Sequence, residues 1–264
     1  MRGEGLDEEI RRARFYKRKL FTELPSGITV SRAGSFEDIT DSLKMLSSIY
    51  VARGYISPAS HGMRLRKWDV SPEMVNYIAK DGNKIVGTQE YISDSAGLGL
   101  PADETFPDEV NSLRKMGKVC EFTNYGVLEQ YRSTSVTSWL MRACYAHALY
   151  TKQEFLVAEV SPSQEEFWRM NLFVKIGSIR GQKSNSKDLT IAMALNMDGC
   201  EKRTITKDKE RGEKAAFLHE WWYENPFLNQ VERDDEFARI GFERDKESFD
   251  KLRKLADSDE VIAA

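Results

Sequence analysis

The feature that most constrains the fold is an ordered alternation of short apolar segments with segments of helical period between residues 28 and 198. Residues 36–50 carry apolar side chains at three- and four-residue spacing, which is typical of a helix with one buried face. Residues 75–79 and 85–92 form two apolar runs around the turn sequence Asp81-Gly82, which favours a β-hairpin. Strands that alternate with helices predict a layered α/β or α+β fold.

The middle of this region predicts a strand, a polar loop and a helix in direct succession. Alternation over residues 118–128 would place five side chains on one strand face: Val119, Glu121, Thr123, Tyr125 and Val127. Helical period resumes at Val136. The N-terminus of a helix presents unpaired backbone N–H groups and the positive end of the helix dipole. The loop at 129–135 is therefore a candidate phosphate site.

Beyond this unit, the sequence predicts further strands at 155–160, 174–180 and 189–196, with a helix that Ser161 caps. After Asp198 the pattern changes to charged helical sequence without strand signals. We therefore predict three regions. They are a basic N-terminal arm over 1–27, an α/β domain over 28–198 and a helical C-terminal extension over 199–264.

The composition excludes several classes of protein. The 39 basic and 42 acidic residues give a net charge of −3, which offers no general attraction to nucleic acid. Three cysteines and three histidines fit neither a disulfide framework nor a zinc cluster. No apolar stretch approaches the roughly 20 residues of a membrane helix, and residues 1–20 lack the apolar core of a secretory signal. We therefore expect a cytoplasmic protein without a metal site.

The polar loop and its neighbours resemble a known superfamily. Gln130-x-x-Ser133-x-Ser135 is similar to the pyrophosphate loop of the GNAT acyltransferases, with serine at the two small glycine positions. The order of predicted elements also agrees with that superfamily. The resemblance narrows, over about residues 28–198, to the N-acyl amino acid synthases and the acyl-homoserine-lactone synthases. The matching stretches are Ile49-Tyr50, Gly54-Tyr55-Ile56, Ile85-Val86-Gly87-Thr88, Gly99-Leu100-Pro101, Phe106, Leu113-Arg114, Glu121, Val160 with Pro162, and Ile176-Gly177.

This resemblance implies a mixed, mostly antiparallel central sheet flanked by helices. It also implies transfer of a long acyl chain from a phosphopantetheine thioester to the amine of an amino acid or similar small acceptor. The thioester would be a co-substrate, carried by acyl carrier protein or by coenzyme A, and no cofactor would be tightly bound. The predicted donor-binding residues are Tyr125, Val127, Leu128, Gln130, Arg132, Ser133 and Ser135, with backbone N–H groups from Tyr125 to Leu128 holding the thioester oxygen. Lys115 and Lys118 are further candidates for contacting the phosphate.

Glu121 is the predicted catalytic residue because it matches the glutamate of the family on this strand. An ammonium becomes nucleophilic only after it loses a proton, and a partly buried carboxylate with a raised pKa can accept that proton. The alternative is a structural carboxylate paired with Lys118 or a neighbouring arginine. Cys144 and His147, three residues apart on the following helix, are best interpreted as core side chains.

Two departures from the family pattern limit what the resemblance implies. The lactone synthases carry arginine where this chain has Asn124, and both groups favour arginine where it has Glu90, which argues against S-adenosylmethionine as the acceptor. The helix after the fifth strand has neither the tyrosine nor the histidine of relatives, so no general acid is identified. Two other functions therefore stay open. One is a non-catalytic acyl-carrier or lipid-binding protein with this fold, and the other is a short-chain acetyl-CoA-dependent N-acetyltransferase.

The first twenty residues contain seven Lys or Arg against four acids. A solvated charged face is one interpretation of this arm. Docking of an acidic acyl carrier protein is another, because electrostatic steering needs only a local positive patch. Peripheral contact with an anionic membrane is the third.

Overall fold

A single eight-stranded sheet organises the described part of the molecule. The computed structural model describes residues 22–71, 73–182, 185–199, 219–231, 233 and 243–263, so residues 1–21 of the basic arm lie outside it. The strands are β1 Ile28–Arg32, β2 Met74–Asp81, β3 Lys84–Ser93, β4 Val119–Val127, β5 Phe155–Val160, β6 Val174–Lys175, β7 Arg180–Gln182 and β8 Asn185–Asn196. Their order is β1-β2-β3-β4-β5-β8-β6, with β7 paired to β8. Among the described strands, β4 and β5 are the one parallel pair, which confirms the mixed, mostly antiparallel GNAT-like sheet.

Helices cover both faces of this sheet. They are α1 Phe36–Ala52, α2 Pro107–Arg114, α3 Val136–Tyr150, α4 Glu165–Met170 and α5 Lys246–Ala263. The α1 helix begins where the hydroxyl of Ser35 accepts the backbone N–H of Asp38 at 3.1 Å. Two short 3₁₀ turns, Lys67–Val70 and Pro101–Glu104, matter for the site described below. Among the residues described, no helix has both the length and the apolar character needed to cross a bilayer.

The sheet divides the apolar core into two clusters. We call the side covered by α3 and residues 219–231 the α3 face, where Val86, Phe122 and Leu140 are buried. The opposite side, covered by α1, the turn Lys67–Val70 and α5, is the α1 face. Residues from beyond Asp198 pack against each of the two clusters.

These later segments bind to opposite faces of the sheet. Trp221 and Trp222 are buried against α3, and the Arg142 side chain donates to the Trp221 carbonyl at 2.8 Å. This tryptophan pair therefore anchors its segment to the α3 face. On the α1 face, Phe249 of α5 packs against Phe36, and Arg253 donates to the Val70 carbonyl at 3.0 Å. The region boundaries near residues 27 and 198 stay a prediction.

Several elements depart from the sequence prediction. The hairpin is confirmed, and Gly82 in its turn has a φ of 57°. The strand predicted over 174–180 is instead two short strands, β6 and β7. The Ser161 side chain makes no cap bond. Its hydroxyl pairs with Ser163, and the 3₁₀ turn Pro162–Gln164 precedes α4. Turn formation at Pro162 therefore delays the helix by three residues.

Candidate active site

A cleft opens where β4 and β5 separate. The two strands pair only from Val119 with Phe155 to Glu121 with Val157. β4 then continues to Val127 and β5 to Val160 without further pairing between them. The two strands therefore diverge beyond Glu121, and Glu121 stands at the point where they separate.

Glu121 is a buried carboxyl group with one backbone hydrogen bond. Only 1% of the residue is exposed, and it accepts the N–H of Ala102 at 2.8 Å. Burial raises its pKa to about 8. The Ala102 N–H and Arg66 oppose this rise, whereas Glu159 and Asp103 add to it. A carboxyl group with this pKa can gain or lose a proton near neutral pH, as a general base must.

The N–H of Ala102 is held in place by a clamp in the loop before α2. Arg114 donates to Asp94 at 2.6 and 2.8 Å and to Asp103 at 2.5 and 2.6 Å. Asp103 also accepts the backbone N–H of Leu100 at 2.7 Å, which closes the turn Pro101–Glu104. Two stretches that carried the family resemblance, 99–101 and 113–114, therefore meet in one ion-pair cluster beside Glu121. The sequence alone gave no sign of this pairing.

A cavity of about 710 Å³ lies next to this clamp. Its lining includes Asp94, Gly99, Asp103, Val119 and Gln153. Val119 lies two residues before Glu121, so the cavity lies beside the start of β4.

β4 contains a bulge three residues after Glu121. The register of β3 and β4 passes from Thr88 with Gly126 to Glu90 with Thr123, so it skips Asn124 and Tyr125. Asn124 has a φ of 46°, which asparagine tolerates better than most residues. The bulge interrupts the alternation of side chains. The predicted common face of Glu121, Thr123 and Tyr125 is therefore wrong, since Tyr125 packs on the α3 face.

Next to the bulge, the α1 face buries a cluster of charged and amide side chains. Asp69 accepts hydrogen bonds from Arg66 at 2.7 and 3.0 Å and from Asn124 at 2.9 Å. Asn124 also donates to Glu90 at 2.8 Å, and the Arg66 guanidinium lies 3.5 Å from the same carboxyl group. Burial and the neighbouring Asp69 raise the pKa of Glu90 well above its usual range. The neutral form of Glu90 is therefore favoured more than that of an exposed glutamate.

A second arginine borders this cluster. Arg64 donates to the side-chain oxygen of Asn124, and its guanidinium carbon lies 5.2 Å from the centre of the Tyr50 ring. Burial and the charge of Arg66 lower the pKa of Arg64. Sequence analysis did not identify Arg64, Arg66 or Asp69, because they lie more than fifty residues from Asn124 and match no motif.

The predicted donor-binding loop lies at the other end of β4. Gln130 and Ser133 are exposed, and Arg132 donates to the Val127 carbonyl at 3.0 Å. Two expected contacts need correction. The N–H of Leu128 donates to the Val86 carbonyl at 2.9 Å because the ladder extends past Val127, so it does not hold a thioester oxygen. The Ser135 hydroxyl is buried and donates to the Glu23 carbonyl at 2.7 Å.

The remaining donor contacts stay a prediction, with two exceptions. Lys115 and Lys118 precede β4, whose nine residues put them roughly 30 Å from the loop. They therefore cannot contact the same phosphate as Arg132. Tyr125 lies in the bulge and its hydroxyl bonds Thr137 of α3 at 2.7 Å, so its contact with the donor stays a prediction.

Cys144 and His147 are core residues, as expected. Both are buried on the α3 face, where burial raises the pKa of the Cys144 thiol and lowers the pKa of His147 to about 3.

Comparison with protein families gives one match over this region. The family described as N-acyl amino acid synthase FeeM matches residues 41–196, which include both ends of the β4 cleft. Among curated proteins, none matches the sequence significantly.

Solved structures show the same fold at low sequence identity. FeeM, an N-acyl amino acid synthase from uncultured soil microbes, is 20% identical with a TM-score of 0.59, covering 66% of this chain and 93% of that one. The CoA-dependent acyl-homoserine lactone synthase BjaI is 15% identical with a TM-score of 0.52, covering 74% and 89%. The CoA-dependent lactone synthase MesI is 13% identical with a TM-score of 0.50, covering 74% and 95%.

Proposed function

The chain belongs to the FeeM family of N-acyl amino acid synthases and is an acyltransferase, and we propose that it moves a long acyl chain from a phosphopantetheine thioester to an amino acid. The observation that carries this proposal is the position of Glu121. It is the last β4 residue paired with β5, it stands where the two strands separate, and burial raises its pKa to about 8.

In the proposed reaction, Glu121 takes the first proton from the ammonium of the acceptor. The free amine then attacks the thioester carbonyl carbon, so that a nitrogen–carbon bond forms and the carbon–sulfur bond breaks. The departing thiolate takes the second proton of the nitrogen and leaves as a thiol. Backbone N–H groups in the bulge around Tyr125 would stabilise the oxyanion, since the bulge removes them from the β3–β4 ladder.

The donor would enter from the loop end of β4. The amides of this loop precede α3, whose N-terminus favours a phosphate group. Arg132 would add a positive charge at the same end. The donor could be acyl carrier protein or coenzyme A, since this geometry recognises the phosphopantetheine arm that both share. The basic N-terminal arm would favour the acidic carrier protein.

The proposal is tested by mixing the purified protein with acyl carrier and coenzyme A thioesters of several chain lengths and a panel of amino acids. We expect release of free thiol at a rate that depends on the amino acid, with long acyl chains preferred over acetyl. Reactions without an amine provide the background rate. If no amine raises thiol release above that background, the protein is not this kind of enzyme. Equal rates with acetyl-CoA would instead indicate a short-chain N-acetyltransferase.

A further inference from the structure

We propose that Arg64 binds the carboxylate of the acceptor and thereby selects amino acids over other amines. This inference rests on the proposed function and adds the residue that would recognise the acceptor. It follows from a difference between the two arginines that border the buried cluster on the α1 face.

Arg66 is already held by several partners. Its guanidinium makes three hydrogen bonds of 2.7 to 3.4 Å to Asp69 and one of 3.3 Å to the hydroxyl of Thr123. It also lies 3.5 Å from Glu90. An arginine held in this way keeps its position and has little capacity left for a ligand.

Arg64 is engaged much less. Within the described part of the chain, its side chain donates only to Asn124, and no carboxylate lies within ion-pair distance. The guanidinium also lies within cation–π distance of the Tyr50 ring, which helps to hold it in position. Guanidinium has five N–H donors in a planar fork that matches a carboxylate. Several of these donors therefore remain for a bound anion.

The charge of the surrounding cluster favours an anion. Asp69 and Glu90 both lie against Arg66, and the raised pKa of Glu90 disfavours the charged form of that group. Among the described residues, the positive charge of Arg64 has no carboxylate within ion-pair distance to balance it. Burial disfavours the charged form of Arg64 and so lowers its pKa. A bound carboxylate would stabilise that charged form.

The acceptor amine and carboxylate would be bound at neighbouring points of β4. Arg64 donates to Asn124, which is three residues after Glu121 and so at most about 10 Å from it along the chain. An α-amino acid carries its amine and its carboxylate on one carbon, so one small molecule can present both groups. Glu121 would then face the amine while Arg64 holds the carboxylate.

The test compares each amino acid of the panel with its α-carboxamide, which keeps the amine and the side chain but lacks the charge. We expect the wild-type protein to prefer the acid by about tenfold to a hundredfold in kcat/KM. Arg64→Gln should lower this ratio to near one. Arg64→Lys should give an intermediate ratio because lysine keeps the charge but loses the planar fork. The ratio separates recognition from structure, since damage to the Asn124 bulge would slow both acceptors alike.

Arg53→Gln is the matched control. Arg53 also stacks on a tyrosine, with its guanidinium carbon 6.0 Å from the Tyr55 ring, but it is exposed. Its acid-to-amide ratio should equal that of the wild type. A wild-type ratio near one, or an unchanged ratio in Arg64→Gln, would overturn the proposal. So would an Arg64→Gln variant whose only defect is a higher KM for the thioester, since Arg64 would then bind the donor.

This test stays separate from the test of the enzyme activity itself. If no amine stimulates thiol release, the same acids and amides are compared by isothermal titration calorimetry. Tighter binding of the acid that Arg64→Gln abolishes would support the carboxylate site even without turnover. Equal binding of acid and amide to the wild type would refute it.

Discussion

The two faces of β4 bury ionisable side chains in very different surroundings. On the α3 face, Cys144 and His147 lie in a packed apolar core, where burial raises the pKa of the thiol and lowers the pKa of His147 to about 3. On the α1 face, Glu121 is just as buried, but it begins a cleft and accepts one backbone N–H. Full burial keeps the first two groups neutral at physiological pH. Burial at a cleft with one hydrogen bond leaves Glu121 able to exchange a proton.

Of the variants that test this comparison, one at Asp69 on the α1 face should lose the most folding stability. Asp69→Ala should lower the free energy of unfolding by about 3–5 kcal/mol, because Arg66 and Asn124 would lose their shared buried acceptor. Urea denaturation measures this loss. The control is Asp41→Ala, which removes an exposed ion pair with Lys44 and should cost less than about 1 kcal/mol. Similar losses in the two variants would mean that the cluster is not a buried network.

The same contrast explains how much could be predicted from the sequence. The order of elements, the hairpin and the position of Glu121 follow from local periodicity and from a motif. The bulge at Asn124 could not be predicted, because it depends on the register between two strands. Arg64 and Asp69 meet Asn124 across 60 and 55 residues of sequence, and such contacts leave no local pattern. The contacts of Leu128 and Ser135 were missed for the same reason.

The two faces should also differ in how the stability of a variant depends on pH. The pKa of Glu121 is raised to about 8 in the folded protein, so its contribution to stability is present at low pH and is lost as the pH rises through that value. Glu121→Gln keeps an acceptor for the Ala102 N–H without the charge. It should match the wild type near pH 4 and be more stable by about 4 kcal/mol at about pH 8.

Cys144→Ala is the control from the α3 face. The thiol is neutral in the folded and the unfolded chain between about pH 5 and 7, so the stability difference from the wild type should not change over that range. Urea denaturation at several pH values measures both variants. A Glu121→Gln protein whose advantage does not grow with pH would show that the carboxyl group is not held at a raised pKa.

The role of Glu121 as the general base is tested most directly by dividing the kcat/KM of the wild type by that of Glu121→Gln across a range of pH with one amino-acid acceptor. Both proteins meet the same acceptor, so its own ionisation cancels from the ratio. We expect the ratio to rise with pH through an apparent pKa of about 8 and to level off at about a hundredfold or more. A ratio that stays near one at every pH would contradict this role.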